Sequence, residues 1–195
     1  MPAARQSRNT SKTKNPKPAA ARASKMARRA VRGVVKSVSA HVLPALPHDA
    51  VKLLEKDHRR FEKLMEEGEE TTERARKRRK DLLTTFAAEI AAHERKEEKV
   101  LYPALKRHSE ARDIVLEGYQ EHHVADVLVG ELKNMDPADE RWGAKFKVLE
   151  ESLAHHIEEE ERKMFPIARA VLTNEDLSAL GMRMKALKAD LEKRN

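Results

Sequence analysis

The sequence predicts an all-α protein, a bundle assembled from two similar helical hairpins. Three observations carry this expectation. Ala, Leu, Glu, Lys and Arg dominate a chain of 195 residues with only 6 Gly and 8 Pro, and such side chains lose little rotamer freedom on a helix. From Asp49 onward, apolar residues recur with the 3.6-residue period of an amphipathic helix. One pattern of polar residues also occurs twice, at matched spacing. Aromatics are 4 % of the chain, so the core must rest on aliphatic side chains.

The elements follow in order. Residues 1–48 carry eleven Lys and Arg and no acid, leaving 29 basic against 33 acidic residues beyond them, so the net charge of +7 belongs to this arm. Residues 1–25 have almost nothing to bury and are expected to be disordered. Residues 26–40 form a short basic amphipathic pattern, with Val31, Val34, Val35 and Val38 on one face. Pro44 and Pro47 separate it from the domain at 49–172. Helix 1 is expected over about 49–70, and helix 2 over about 72–107, led in by ERARKRRK. Ser109 is the expected N-cap of helix 3, which runs to about 134. Asp136-Pro137 signals the start of helix 4, which runs to about 172. Thr173 with Asp176 reads as a capping box for a short C-terminal helix within 173–195. No strands are expected.

The repeat carries the chemistry. An acidic residue and a His occur at 57–58 and again at 121–122, each followed by apolar or small residues three, six and seven positions on. HERKEEKVLYP from His93 matches HIEEEERKMFP from His156. His58 and His93 are 35 residues apart, His122 and His156 34. Residues four apart share a helix face, so His93 and Glu97 point together, as do His156 and Glu160. Each lies on an apolar stripe: His58 with Val51, Leu54, Phe61 and Met65; His93 with Phe86, Ile90, Leu101 and Ala104; His122 with Val115, Tyr119, Ala125 and Val129; His156 with Leu149, Leu153, Met164 and Ile167. Six polar groups therefore face the interior. Each costs about 1–3 kcal/mol if left unpartnered, which together exceeds much of a domain's margin of about 5–15 kcal/mol. Two cations would neutralise both carboxylates and engage four imidazoles. Mixed nitrogen and oxygen ligation suits iron best, with manganese or zinc as alternatives.

Taken together, the DH, HERKEEKVLYP, EH and HIEEEERKMFP segments make the chain resemble the hemerythrin HHE cation-binding family across nearly all of 49–172. The resemblance implies an up-down-up-down four-helix bundle with a non-haem di-iron centre. In that picture Glu97 and Glu160 bridge two iron ions, and His58, His93, His122 and His156 complete the ends. The oxygen-carrying members use a fifth His on helix 3, where this chain has Asp126 or Gly118. That departure leaves oxygen, nitric oxide or peroxide chemistry open, in a sensor, a scavenger or an iron-binding protein. No base–nucleophile set is visible, so any turnover would be weak di-iron redox activity of the metal itself.

Neighbouring residues read differently. Tyr119 either packs in the core or reaches a bound ligand. His123 and His155 are expected to be solvated or to support the ligands. Glu94, Glu98 and Glu161 read as surface charges, although Glu94 or Glu98 could reach the metal edge. HERKE lacks the second His of the zinc-protease pattern, and a ferritin-type site needs two ExxH motifs where only Glu55-x-x-His58 occurs. With no Cys, disulfides, thiolate zinc sites and iron–sulfur clusters are excluded. No run of about 20 apolar residues exists to cross a bilayer, and a cytoplasmic protein is expected. The alternative function rests on the basic arm. Residues 1–40 could contact nucleic acid nonspecifically by counterion release, bind an anionic membrane surface, act as a transit peptide or simply solubilise the chain.

Overall fold

The computed structural model describes residues 48–192, with side chains through 187. The arm through residue 47, with the helix expected over 26–40 and the nucleic-acid and membrane readings, lies outside the described residues. Five helical segments make up the rest. They are α1 (Ala50–Glu69), α2 (Arg76–Lys96, continued by Glu97–Leu101 and Tyr102–Leu105), α3 (Ser109–Lys133), α4 (Glu140–Glu159, continued by Glu160–Met164 and Phe165–Val171) and α5 (Asn174–Glu192). Short connections make α1 to α4 run alternately up and down. In the bundle α1 packs on α2 and α4, and α3 packs on the same two. Among the described residues no helix is long and apolar enough to cross a membrane.

Capping chemistry sets the helix starts, and three differ from the sequence expectation. Asp49 caps α1, its carboxylate accepting from Lys52 N at 3.1 Å. Helix α2 begins at Arg76 rather than about 72, because residues 71–75 form a turn. That turn is held by Arg79, which is buried against expectation for a charged run. Its guanidinium donates to Thr71 Oγ1 and Pro137 O at 3.0 and 2.8 Å and lies 4.7 Å from the Trp142 ring centroid. His108, not Ser109, occupies the extended cap position of α3. For α4 the cap is Asp139, accepting from Arg141 N at 2.9 Å. Asp136 instead closes a turn with Ala138 N at 2.9 Å. The capping box of α5 is present: Thr173 N donates to Asp176 Oδ2 at 3.0 Å and Asp176 N to Thr173 Oγ1 at 3.1 Å.

Along each of α1 to α4 the buried His and Glu lie between apolar buried residues. One apolar cluster gathers Val51 and Leu54, Leu101 to Leu105, Val115 and Met164 to Ala168, covered by Leu177, Leu180 and Met184 of α5. The other gathers Phe61 and Leu64, Leu82 to Ile90, Ala125 and Val129, and Trp142 to Leu153. Close packing of α5 depends on Gly181, where an added Cβ would lie 1.5 Å from His48 O. Between the clusters lies one polar belt.

Candidate metal centre

The belt consists of the six residues expected to face inward: His58, His93, Glu97, His122, His156 and Glu160, all buried. Their ligand-capable atoms converge. Those of His58, His93, Glu97 and Glu160 lie within 4.8 Å of one another, as do those of Glu97, His122 and His156. Glu97 Oε2 lies 3.3 Å from His93 Nε2, 3.1 Å from His122 Nε2 and 3.9 Å from His156 Nε2. Glu160 Oε2 lies 3.2 Å from His58 Nε2, 4.0 Å from His93 Nε2 and 3.7 Å from His156 Nε2. Each carboxylate thus reaches imidazoles of both hairpins.

An outer ring of carboxylates fixes the imidazoles. His58 Nδ1 bonds Glu161 Oε1 at 2.9 Å, and His122 Nδ1 bonds Glu98 Oε1 at 3.1 Å. His93 Nδ1 lies 3.4 Å from Asp57 Oδ2, and His156 Nδ1 bonds Glu121 Oε2 at 2.7 Å. With Nδ1 engaged outward, Nε2 is left to point inward. The arrangement repeats the pseudo-twofold: the acid before each α1 or α3 His holds the next helix's His, and the acid after each inward-facing Glu holds the other. Glu98 and Glu161 are therefore not plain surface charges. The acid–His pairs at 57–58 and 121–122 carried this signal without revealing it, since the partner lies on another helix.

The electrostatics match. Burial opposes charge on His93, but Glu97 and Asp57 outweigh it and push the imidazole up to about 10. His122 rises to about 9, against burial, because Glu97 and Glu98 contact it. His156 is raised, against burial, by Glu160 and Glu121. Glu97, despite its burial, is held well below the usual carboxylate range by His93 and His122. The belt is built to hold positive charge.

Two features escaped the sequence. The first is a π turn in each ligand helix, beginning at Glu97 and at Glu160, where Tyr102 N donates to Glu97 O and Phe165 N to Glu160 O. Pro103 and Pro166 follow directly; lacking an N–H and crowding the preceding turn, they favour the wider register over a kink or a stop. The extra residue turns Tyr102 and Phe165 inward. Phe165 stacks on His58 (5.6 Å, 9°) as Tyr102 stacks on His122 (5.5 Å, 15°). The Tyr102 hydroxyl donates to Glu160 Oε1 at 3.2 Å and lies 3.3 Å from His122 Nε2. Tyr119 is half-buried and packs on the edge of Tyr102 (5.0 Å, 75°), so Tyr102 is the phenol at the site. Gly118 makes room for it: an added Cβ would lie 2.5 Å from the Tyr102 oxygen.

The second is Glu94, which is buried rather than at the surface. Burial pushes its carboxyl up to about 7, against the pull of His122. His123 is exposed, and so is His155, whose Nε2 lies 3.7 Å from Glu121 Oε1.

Glu97 Oε1, His156 Nε2 and Glu160 Oε2 are buried without a hydrogen-bond partner. Three of the six thus carry such an atom, as do Glu94, Trp142, Glu150 and Glu159 elsewhere, and a buried polar atom of this kind is costly unless something coordinates it. Nitrogen and oxygen donors converging with orphaned lone pairs are the donor set of a cation site. The hemerythrin HHE cation-binding domain pattern matches residues 49–168, well over half of the chain. The chain belongs to the hemerythrin HHE family. As a solved neighbour, the HHE domain has the crystal structure of a hemerythrin HHE cation-binding domain-containing protein from Mycobacterium kansasii. That structure superposes with a TM-score of 0.63 at 23 % identity, covering 72 % of this chain and 86 % of the other. This likeness speaks for the fold. No curated protein matches the chain.

Proposed function

We propose that this HHE domain is a non-haem di-iron protein that binds or reacts with a small ligand such as oxygen, nitric oxide or peroxide. It would serve as a sensor, a scavenger or an iron-binding protein. The observation that carries the reading is the division of the cage between hairpins. His58 and His93 suit one ion, and His122 and His156 suit the other. Glu97 and Glu160 each reach imidazoles of both pairs, as bridging carboxylates must. Four imidazoles with two carboxylates favour iron over manganese or zinc.

A bound iron pair supplies electron exchange and coordination positions open to a ligand. The chain supplies the rest. Asp57, Glu98, Glu121 and Glu161 orient the imidazoles through Nδ1 and raise their basicity. Tyr102 holds Glu160 Oε1 through its hydroxyl. The two apolar clusters keep bulk water from the belt. Neither position one turn from His122 supplies a fifth imidazole, since Gly118 is buried against the Tyr102 hydroxyl and Asp126 is exposed, which favours ligand chemistry over reversible oxygen carriage.

Metal analysis and the near-UV spectrum of protein purified from iron-supplemented cells test the reading. Near-stoichiometric iron with oxo-di-iron absorption is expected. Protein lacking both sinks it.

A further inference from the structure

The two hairpins differ just outside the belt. In the first, Asp57 lies against His93 and is paired with the ammonium of Lys96, a lysine only 7 % exposed. The repeat places Glu121 at the position of Asp57 and Glu159 at the position of Lys96. Where the first hairpin sets a cation against an acid, the second sets two acids. It also puts His155 where the first has Ala92. Ligand-capable atoms of Glu121, His155 and Glu159 all lie within 4.8 Å of one another. Glu121 engages His156 Nδ1 through Oε2 at 2.7 Å, which leaves its Oε1. That atom lies 3.7 Å from His155 Nε2, too far for a hydrogen bond. The gap is close to the separation of about 3.4 Å between two ligand atoms each about 2.1 Å from a tetrahedral ion. Exposed Lys163 pairs with Glu159 Oε1. Glu159 Oε2 is buried with no hydrogen-bond partner, a costly state for a carboxylate oxygen.

We propose that Glu121, His155 and Glu159 bind one divalent transition-metal ion at the surface, in the place that Lys96 fills in the first hairpin. Two carboxylates and an imidazole make a mixed oxygen and nitrogen donor set, which suits zinc or another borderline ion rather than calcium. The ion supplies the positive charge that this hairpin lacks and gives Glu159 Oε2 a partner. His155 is 62 % exposed, so water completes the coordination on that side. The site is separate from the belt: it uses Glu121 Oε1 and none of the six inward-facing residues. It stands whichever ion the belt holds.

Zinc is the probe. Full-length protein, with the metal of its belt measured first, is titrated with zinc by calorimetry beside His155→Ala and Glu159→Lys, each of which copies the first hairpin. The wild type is expected to take up one zinc per chain beyond its belt metal. His155→Ala removes one ligand and is expected to weaken that binding about tenfold or more. Glu159→Lys sets an ammonium in the site, as Lys96 does, and is expected to abolish it. If Glu159→Lys fails to fold, His155→Ala decides alone, because its side chain is exposed and packs in neither apolar cluster. A wild type that takes up no zinc beyond its belt overturns the proposal. So does zinc affinity of His155→Ala within about twofold of the wild type. A belt that takes zinc in place of iron counts against the di-iron reading alone, since the variants then still lose one zinc per chain.

Discussion

Tyr102 and Glu160 show how single atoms divide a nearly symmetric site. The repeat pairs Tyr102 with Phe165, and both rings stack on an imidazole. Only Tyr102 brings a hydroxyl, and only Glu160 receives one; Glu97 Oε1 has no such partner. Tyr102→Phe is therefore expected to lower stability by about 1 kcal/mol, one buried hydrogen bond, in denaturant unfolding. Gly118→Ala is expected to cost about 1–3 kcal/mol by overpacking against the same hydroxyl. Because the hydroxyl is the nearest atom, the two changes together should cost less than their sum; strict additivity would place Tyr102 elsewhere. The imidazoles give a pH prediction. His93 and His122 stand at about 10 and about 9 in the fold against 6.5 ordinarily. Their contribution to stability is complete below about 6.5 and is lost as pH rises through about 9–10. Protein stripped by chelator should thus show a falling Tm over that window. Cation affinity should run the other way, weakening as pH falls and protons compete for the same nitrogens.

Among the elements, the ligand helices show what a periodic reading can and cannot reach. The spacing of His93 with Glu97 and of His156 with Glu160 lies within regular helix, so the i, i+4 rule brought both pairs to the interior correctly. Tyr102 lies beyond the π turn, where one extra residue breaks the phase that such a reading extrapolates. Ala104, on the extrapolated stripe, is only partly buried, while Tyr102 is wholly buried. The two prolines ten residues after each His were the visible trace of this departure. Capping was legible where one acid stood alone, as at Asp49, and ambiguous where two competed. Asp136-Pro137 has the stronger local signal, yet Asp139 lies one turn closer to the first buried residue of α4, Trp142, and wins the cap. Asp139→Ala is expected to cost about 1 kcal/mol in thermal unfolding. Asp136→Ala, which removes a turn bond and an exposed ion pair with Arg76, should cost less. Equal losses would contradict the assignment.

For the whole molecule, the six belt residues separate two apolar clusters that would otherwise be continuous. A fold that interrupts its core with four imidazoles and two carboxylates is stable only when that layer is neutralised together. Duplication of the pattern made this legible in the sequence, because two hairpins with acids and histidines at equal depths must meet. The outer carboxylates were not legible, since their partners sit on other helices and only the assembled bundle relates them. Cation binding to the folded state alone should raise stability by mass action, so chelation should lower Tm and re-addition of ferrous iron restore it. In the proposed centre Glu97 and Glu160 jointly hold two ions. Iron per chain, measured side by side for the wild type, Glu97→Ala and Glu160→Ala with helicity unchanged, tests it most directly. Two irons in the wild type, with loss of more than one iron in each variant, is the predicted result. Full iron retention in either variant would contradict it.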